Sequence, residues 1–194
     1  MMKKGDGLIG VIATHVDDFI HCGTQEFESE VLERITLIAG KLESNSFMYI
    51  GFSIEQDHDG IVMDQRDYVD NLPSYHIEPT RAKQKSDNLT KCENKMYRSL
   101  VGKCNWAVRG TRPDLAFEVV DMSTKFNCAT VNDLLRALKN LRRLRDENCV
   151  VKYPRLSLED ARIVCVSDVA FGNMNDGVAS CAGQVIFLVE SGYC

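Results

Sequence analysis

The sequence predicts an α+β fold in which small antiparallel sheets flank a helical unit, and three observations predict it. Short apolar runs that break at turn residues recur in pairs, as hairpins require, within residues 8–20 and 47–63. Between Thr90 and Asp146 the apolar residues fall instead at helical spacing, with helix-start chemistry repeated at Thr111 and Thr130. Beyond Val150 the pattern returns to strands, which begin a further, incomplete mixed sheet.

With 194 residues and 44% hydrophobic content, the chain can build one large or two small domains and is not a disordered tail. Its 23 basic and 28 acidic residues leave a net charge of −5, so no overall basic field advertises a nucleic-acid partner, and such binding must come from local patches. Eight cysteines form no CxxC pair and lie mostly in apolar segments. This fits a reducing compartment, with cysteine as a small buried hydrophobe rather than a disulfide or zinc ligand. No apolar run approaches the roughly 18 residues of a membrane span. The N-terminal residues lead directly into a strand, so an intracellular protein, cytoplasmic or nuclear and without a membrane partner, is expected. Nothing repeats, and no segment is of low complexity.

The hairpin at 8–23 organises the rest. Its apolar runs break around His15, Val16, Asp17 and Asp18, so two adjacent carboxylates stand where the chain reverses. Neighbouring acids among apolar strands repel and lose hydration, which a cation relieves. Hard oxygen ligands of this kind suit magnesium, which binds through one or two carboxylates together with substrate phosphates. The pair reads as a phosphoryl-transfer metal site; the same residues also fit an Asp-Asp turn tip solvated by water.

Thr24 then caps a helix with Glu26 and Glu28 at its positive end and Phe27, Val31, Ile35 and Ile38 on one face. Residues 47–56 read as one strand, 57–60 as a turn and 61–63 as the returning strand. A short helix at 64–72 shows Tyr68 and Leu72 on one face and ends at Pro73. The following stretch, with two prolines and three basic residues, has the profile of a linker or mobile loop. The expected division is 1–76, a linker at 77–89, a helical unit at 90–148 and a C-terminal unit at 149–194.

Within the helical unit, 90–108 carries Met96, Leu100, Val101, Cys104 and Ala107, with Trp106 near its end and Gly110 to stop it. Thr111-Arg112-Pro113-Asp114 starts a second helix that runs to about Phe126. Thr130 and Asp133 form a capping box for a third, to about Asp146. That helix places Arg136, Lys139, Arg142, Arg143 and Arg145 opposite its leucines. Such a stripe fits contact with a phosphate backbone, and fits equally a solvated face with cations near the negative helix end. In the C-terminal unit, 150–153, 163–167 and 180–189 read as strands around a turn at 172–177. Asp168 closes the second of these as a metal ligand or a turn cap.

In this order the motifs resemble the Pol polyprotein of copia-type LTR retrotransposons, from the middle of the reverse transcriptase into the start of RNase H. His15-Val16-Asp17-Asp18 resembles the Tyr-x-Asp-Asp box. Met48-Tyr49-Ile50-Gly51, with Ile61 to Gln65 and Tyr68, is similar to the next hairpin, with its Tyr-Leu-Gly and hydrophobic-x-Gln-x-x-Tyr patterns. Tyr97 to Gly102 followed by Thr111 to Ala116 is the most specific likeness. Ser167 to Phe171 with Gln184 to Leu188 resembles the opening strands of RNase H.

The resemblance implies a partial antiparallel palm sheet with a helix, a helical thumb or connection unit, and the first strands of an RNase H-like sheet. It implies RNA-directed DNA polymerisation with magnesium, or alternatively manganese, held by Asp17 and Asp18, and an RNase H metal ligand at Asp168. His15, Tyr49 and Gly51 would lie near the primer, and Arg136, Lys139 and Arg143 near the template. RNA template, RNA–DNA duplex and the rest of the Pol polyprotein are the implied partners. Two metal ions about 3.5–4 Å apart need a third polymerase carboxylate, and RNase H needs four acids. The family's third polymerase acid lies on an earlier palm strand, so the chain is expected to be inactive by itself. His15 departs from the family's usual tyrosine, keeping a ring but losing the phenol. The rival expectations are a noncatalytic nucleic-acid- or protein-binding module using the basic helix at 130–146, and a marginally folded remnant.

Overall fold

The computed structural model describes residues 1–5, 7–35, 42–157, 159–170 and 180–190. The chain is a mixed α and β structure with antiparallel sheets. In the first sheet, β1 (Met2–Lys4), β2 (Gly7–His15) and β3 (Asp18–Gly23) lie in that order. The pairing of β2 with β3 runs from Gly10↔Gly23 to His15↔Asp18, which leaves Val16 and Asp17 as a two-residue loop. β1 carries no alternating pattern of its own, and its strand form comes from pairing with β2.

The paired glycines open a niche for one aromatic ring. A Cβ on Gly10 would approach the Phe27 ring to 2.2 Å, and one on Gly23 to 2.3 Å. Phe27 is delivered by α1 (Gln25–Phe27), whose first turn Thr24 caps by accepting from the Phe27 amide. The helix then widens into a π turn at Glu28–Leu32. This shifts the inward position, so Leu32 is buried where the sequence pointed to Val31. Ile38 lies outside the described residues. Cover ends there: Gly10 is the one fully buried position of β2, while Leu8 and Val11 are exposed. The buried strand that the apolar run suggested is therefore an open-faced one.

The second sheet has the order β4 (Ser46–Tyr49), β5 (Phe52–Gln56), β6 (Gly60–Asp64) and β7 (Val151–Pro154). The single strand read over 47–56 is in fact a hairpin, turning at Ile50 and Gly51 with φ of 44° and 85°. Val151–Pro154, expected with the C-terminal strands, pairs instead with β6, from Gly60↔Pro154 to Met63↔Val151.

The core lies in the helices. α2 (Arg66–Asp70) and the short α3 (Pro79–Ala82) precede α4 (Lys91–Gly110), which a reciprocal Thr90–Glu93 capping box begins. A 3-10 turn at Pro113–Leu115 leads into α5 (Ala116–Thr124), and α6 (Val131–Asp146) starts at the capping box of Thr130 and Asp133. Tyr97, Leu100, Val101 and Cys104 of α4 meet Val119 and Met122 of α5 and Leu134, Leu138, Leu141 and Leu144 of α6. Each such side chain stabilises the fold by about 1.5–3 kcal/mol on burial. Cys104 is the one fully buried cysteine among the described residues; Cys22, Cys92, Cys128, Cys149 and Cys165 are exposed, so burial does not explain the cysteine usage.

The stretch expected as a loose linker is tied down. Arg81 bonds Glu93, Gln84, Asp87 and the carbonyl of Asn88. Residues 85–89 hydrogen-bond the start of α6 through Asn132 N to Lys85 O, Val131 N to Asp87 O and Leu89 N to Ala129 O. The last two strands, β8 (Ala161–Ala170) and β9 (Cys181–Glu190), form a separate antiparallel ribbon rather than part of a mixed sheet.

Candidate metal and nucleic-acid site

The tip of the β2–β3 hairpin is conformationally unusual. Val16 has φ of 56° and is 93% exposed, although left-handed backbone crowds a β-branched side chain. Positive φ at the first loop residue alone belongs to turns that normally place glycine there. The flanking strands impose the turn; Asp17 lies in the loop and Asp18 opens β3, both exposed, with His15 across from Asp18. Tyr49 ends β4 and is half-buried; Gly51 occupies the next hairpin loop, where an added Cβ would lie 3.9 Å from Trp106 Nε1. Ile50 repeats the strain of Val16. β3 adjoins β4, so the two hairpins are neighbours.

No third ligand group among the described residues joins the pair. Among the described residues, the only group of three His, Cys, Asp or Glu ligand atoms within 4.8 Å is Asp57, His58 and Asp59 in the β5–β6 turn. All three are exposed, and Asp57 Oδ1 spends itself on the amides of Asp59 and Gly60, which lowers its pKa. Asp168 lies well along β8 opposite Gly183, exposed and outside any such group. An open cleft lined by Ser53, Glu55, Val62, Asp64, Arg66, Asp67 and Val150 has none of the predicted acids in its wall. Two oxygen-ligand side chains fit part of a magnesium site.

The basic helix is largely spoken for by its own neighbours. Arg136 Nη1 bonds Asp121 Oδ2 at 2.7 Å, and Lys125 Nζ bridges Asp121 and Asp133 at 3.2 and 3.1 Å. Burial works against ionisation of Asp133, yet hydrogen bonds from Thr130 and Lys125 overcome it and lower its pKa. Arg143 lies between Asp114, Glu118 and Glu147 at 3.5–3.8 Å, and Arg145 donates to the carbonyl of Leu72. Lys139 and Arg142 remain exposed without an ion pair among the described residues. Three of the five cations thus hold helices together, which removes most of the stripe available to phosphate.

A buried polar cluster went unread in the sequence. Gln65 Oε1 accepts from the Thr111 amide and hydroxyl, both at 3.0 Å. Arg112, 3% exposed, spends its five donors on five bonds: two to the carboxylate of Asp114, one each to the carbonyls of Arg143 and Glu147, and one to Glu147 Oε2. It thereby closes the last turn of α6 and pins the start of α5. Tyr68 donates to the carbonyl of Lys103, and burial pushes its pKa up to about 12. The Gln-x-x-Tyr and Thr-Arg-Pro-Asp stretches are therefore joined in space, although 46 residues separate Gln65 from Thr111. The resemblance marked both stretches, but no local signal says that Gln65 meets Thr111 or that Arg112 is buried.

Comparison with protein-family models, curated proteins and solved structures returned no match.

Proposed function

We propose that this chain is part of a copia-type reverse transcriptase together with the beginning of its RNase H. In this reading Asp17 and Asp18 are two carboxylates of a two-metal nucleotidyl-transfer site, and Asp168 is the first RNase H acid. The observation that carries it is the strain at the tips of two successive hairpins. Of three non-glycine residues with positive φ among the described residues, two are β-branched, Val16 and Ile50. They sit beside the carboxylate pair and beside Tyr49 and Gly51, the residues assigned to metal and primer. Backbone held against its own preference clusters at sites where geometry matters more than stability. The meeting of Gln65 with Thr111 gives further support, because it joins the two stretches most characteristic of the resemblance.

Polymerisation needs a third carboxylate, and charge left unneutralised in the transition state costs about 3 kcal/mol per missing interaction. The chain by itself is therefore inactive, with RNA template, RNA–DNA duplex and the other Pol segments as its partners. Primer extension on an RNA template with magnesium or manganese tests this. No incorporation is expected from the purified chain; template-dependent incorporation that Asp17→Asn abolishes would show the site to be complete without further segments.

A further inference from the structure

We propose that the junction between β6 and α2 is a binding site for one internal water molecule, held between the side-chain amide of Gln65 and the last turn of α6. Gln65 joins the two elements and is 2% exposed, and its Nε2 has no hydrogen-bond partner among the described residues. The orientation of this amide is fixed by its neighbour. The Thr111 N–H can only donate, so the Gln65 atom 3.0 Å from it is the oxygen, and the atom in need of an acceptor is the nitrogen. Buried N–H groups are costly to leave unpaired, and folded chains satisfy them from protein or from ordered water. Gln65 lines a small cavity of about 10 Å³, whose wall also includes Asp64, Val69, Arg112, Leu144 and Glu147.

The wall selects the occupant. α6 ends at Asp146, so the Leu144 carbonyl belongs to the last turn and has no intrahelical donor. The bonds that close this end run from the Glu147 amide and from Arg112 to the carbonyls of Arg143 and Glu147, and none goes to Leu144. One cavity thus brings together a residue with an unmet donor and a residue with an unmet acceptor. An anion would satisfy Gln65 but oppose the Leu144 carbonyl and the carboxylates of Asp64 and Glu147; a metal cation would satisfy those and oppose the Gln65 N–H. Arg112 can serve neither, because its five donors are spent. Water both accepts and donates, and one molecule needs a cavity on the order of 10–15 Å³ with two to four polar partners. Its oxygen accepts from Gln65 Nε2 and one hydrogen goes to the Leu144 carbonyl, while Asp64 and Glu147 offer acceptors for the other. A chain of bonds from Thr111 through Gln65 and the water then ties the second sheet to the end of α6, in parallel with the Arg112 fork. The inference does not depend on the reading of Asp17 and Asp18.

Nuclear Overhauser spectra between water and the isotopically labelled full chain provide the test. The Gln65 side-chain amide protons are expected to show cross-peaks to water that have opposite signs in the laboratory and rotating frames. That pattern identifies a water held while the molecule tumbles and excludes simple proton exchange. Oxygen-17 relaxation dispersion should lose one long-lived water in Gln65→Met, with the backbone signals of Thr111 and Arg112 still dispersed. The wild-type cross-peaks decide the matter alone if that variant does not fold. Resolved Gln65 amide signals without water cross-peaks, cross-peaks of equal sign in both frames, or an unchanged water count in folded Gln65→Met would overturn the proposal. So would a saturable shift of those signals on titration with chloride, which would show an anion in the cavity.

Discussion

Val16 holds a backbone conformation that costs an L residue about 1–2 kcal/mol, and it does so fully in solvent, where its isopropyl group gains nothing in return. Val16→Asn should therefore stabilise the chain by about 1 kcal/mol in urea unfolding, because asparagine tolerates this region. Unchanged or lower stability would mean that the turn is not strained. The position of this turn was legible, since two acids interrupt apolar runs. Its strain was not, because nothing local in a valine or in Ile50 announces a left-handed residue; pairing of the flanking strands imposes it. Glu93 gives a pH prediction. The hydrogen bond from Arg81 lowers its pKa to about 2, with bonds from the Thr90 amide and hydroxyl adding to the effect against the opposing cost of burial. A carboxylate depressed on folding stabilises above its unfolded pKa near 4.5, and that stabilisation is lost as pH falls from there toward 2. Acid titration of stability should thus show Glu93→Gln less stable than wild type by about 1–2 kcal/mol at pH 7, with the two converging near pH 2. A constant gap across that window would contradict the assignment.

At the scale of elements, the helices owe their boundaries to chemistry that is readable in one dimension and their mutual arrangement to chemistry that is not. Thr130 and Asp133 announced the start of α6 correctly, whereas Thr111, expected to cap the next helix, closes α4 and donates to Gln65, and the helical turn after it begins without a side-chain cap. Besides nearby Asp114, Arg112 reaches the carbonyls of Arg143 and Glu147, 31 and 35 residues away, and Arg143 reaches Glu118, 25 residues away, contacts that no local pattern encodes. Arg112→Lys should cost about 3 kcal/mol in urea unfolding, since one ammonium cannot replace a buried five-donor fork. A loss below about 1 kcal/mol would show the cluster to be dispensable. The join between α4 and β5 is equally tight: a Cβ at Gly110 would come within 2.2 Å of Gln65 Oε1 and 2.3 Å of the Phe52 ring. Gly110→Ala is accordingly expected to lower stability by about 1–3 kcal/mol despite alanine's better helix propensity. A gain in thermal midpoint would contradict that packing.

Across the whole molecule, the helical unit holds most of the core while the sheets keep much apolar surface open. The α+β class was legible because periodicity is local. Which strands would pair was only partly so: the second sheet recruits Val151–Pro154 from beyond the helices, a non-local choice that no local pattern encodes. The carboxylate pair was located correctly at a turn, and no third acid groups with it among the described residues. The reverse transcriptase reading rests on those two acids acting as metal ligands. Titration of the isotopically labelled chain with Mn2+, followed through paramagnetic broadening of backbone amide signals, tests this most directly. Broadening centred on residues 15–19, lost in Asp17→Asn and Asp18→Asn, is expected; broadening confined to Asp57–Asp59, or unaltered by those substitutions, would contradict it.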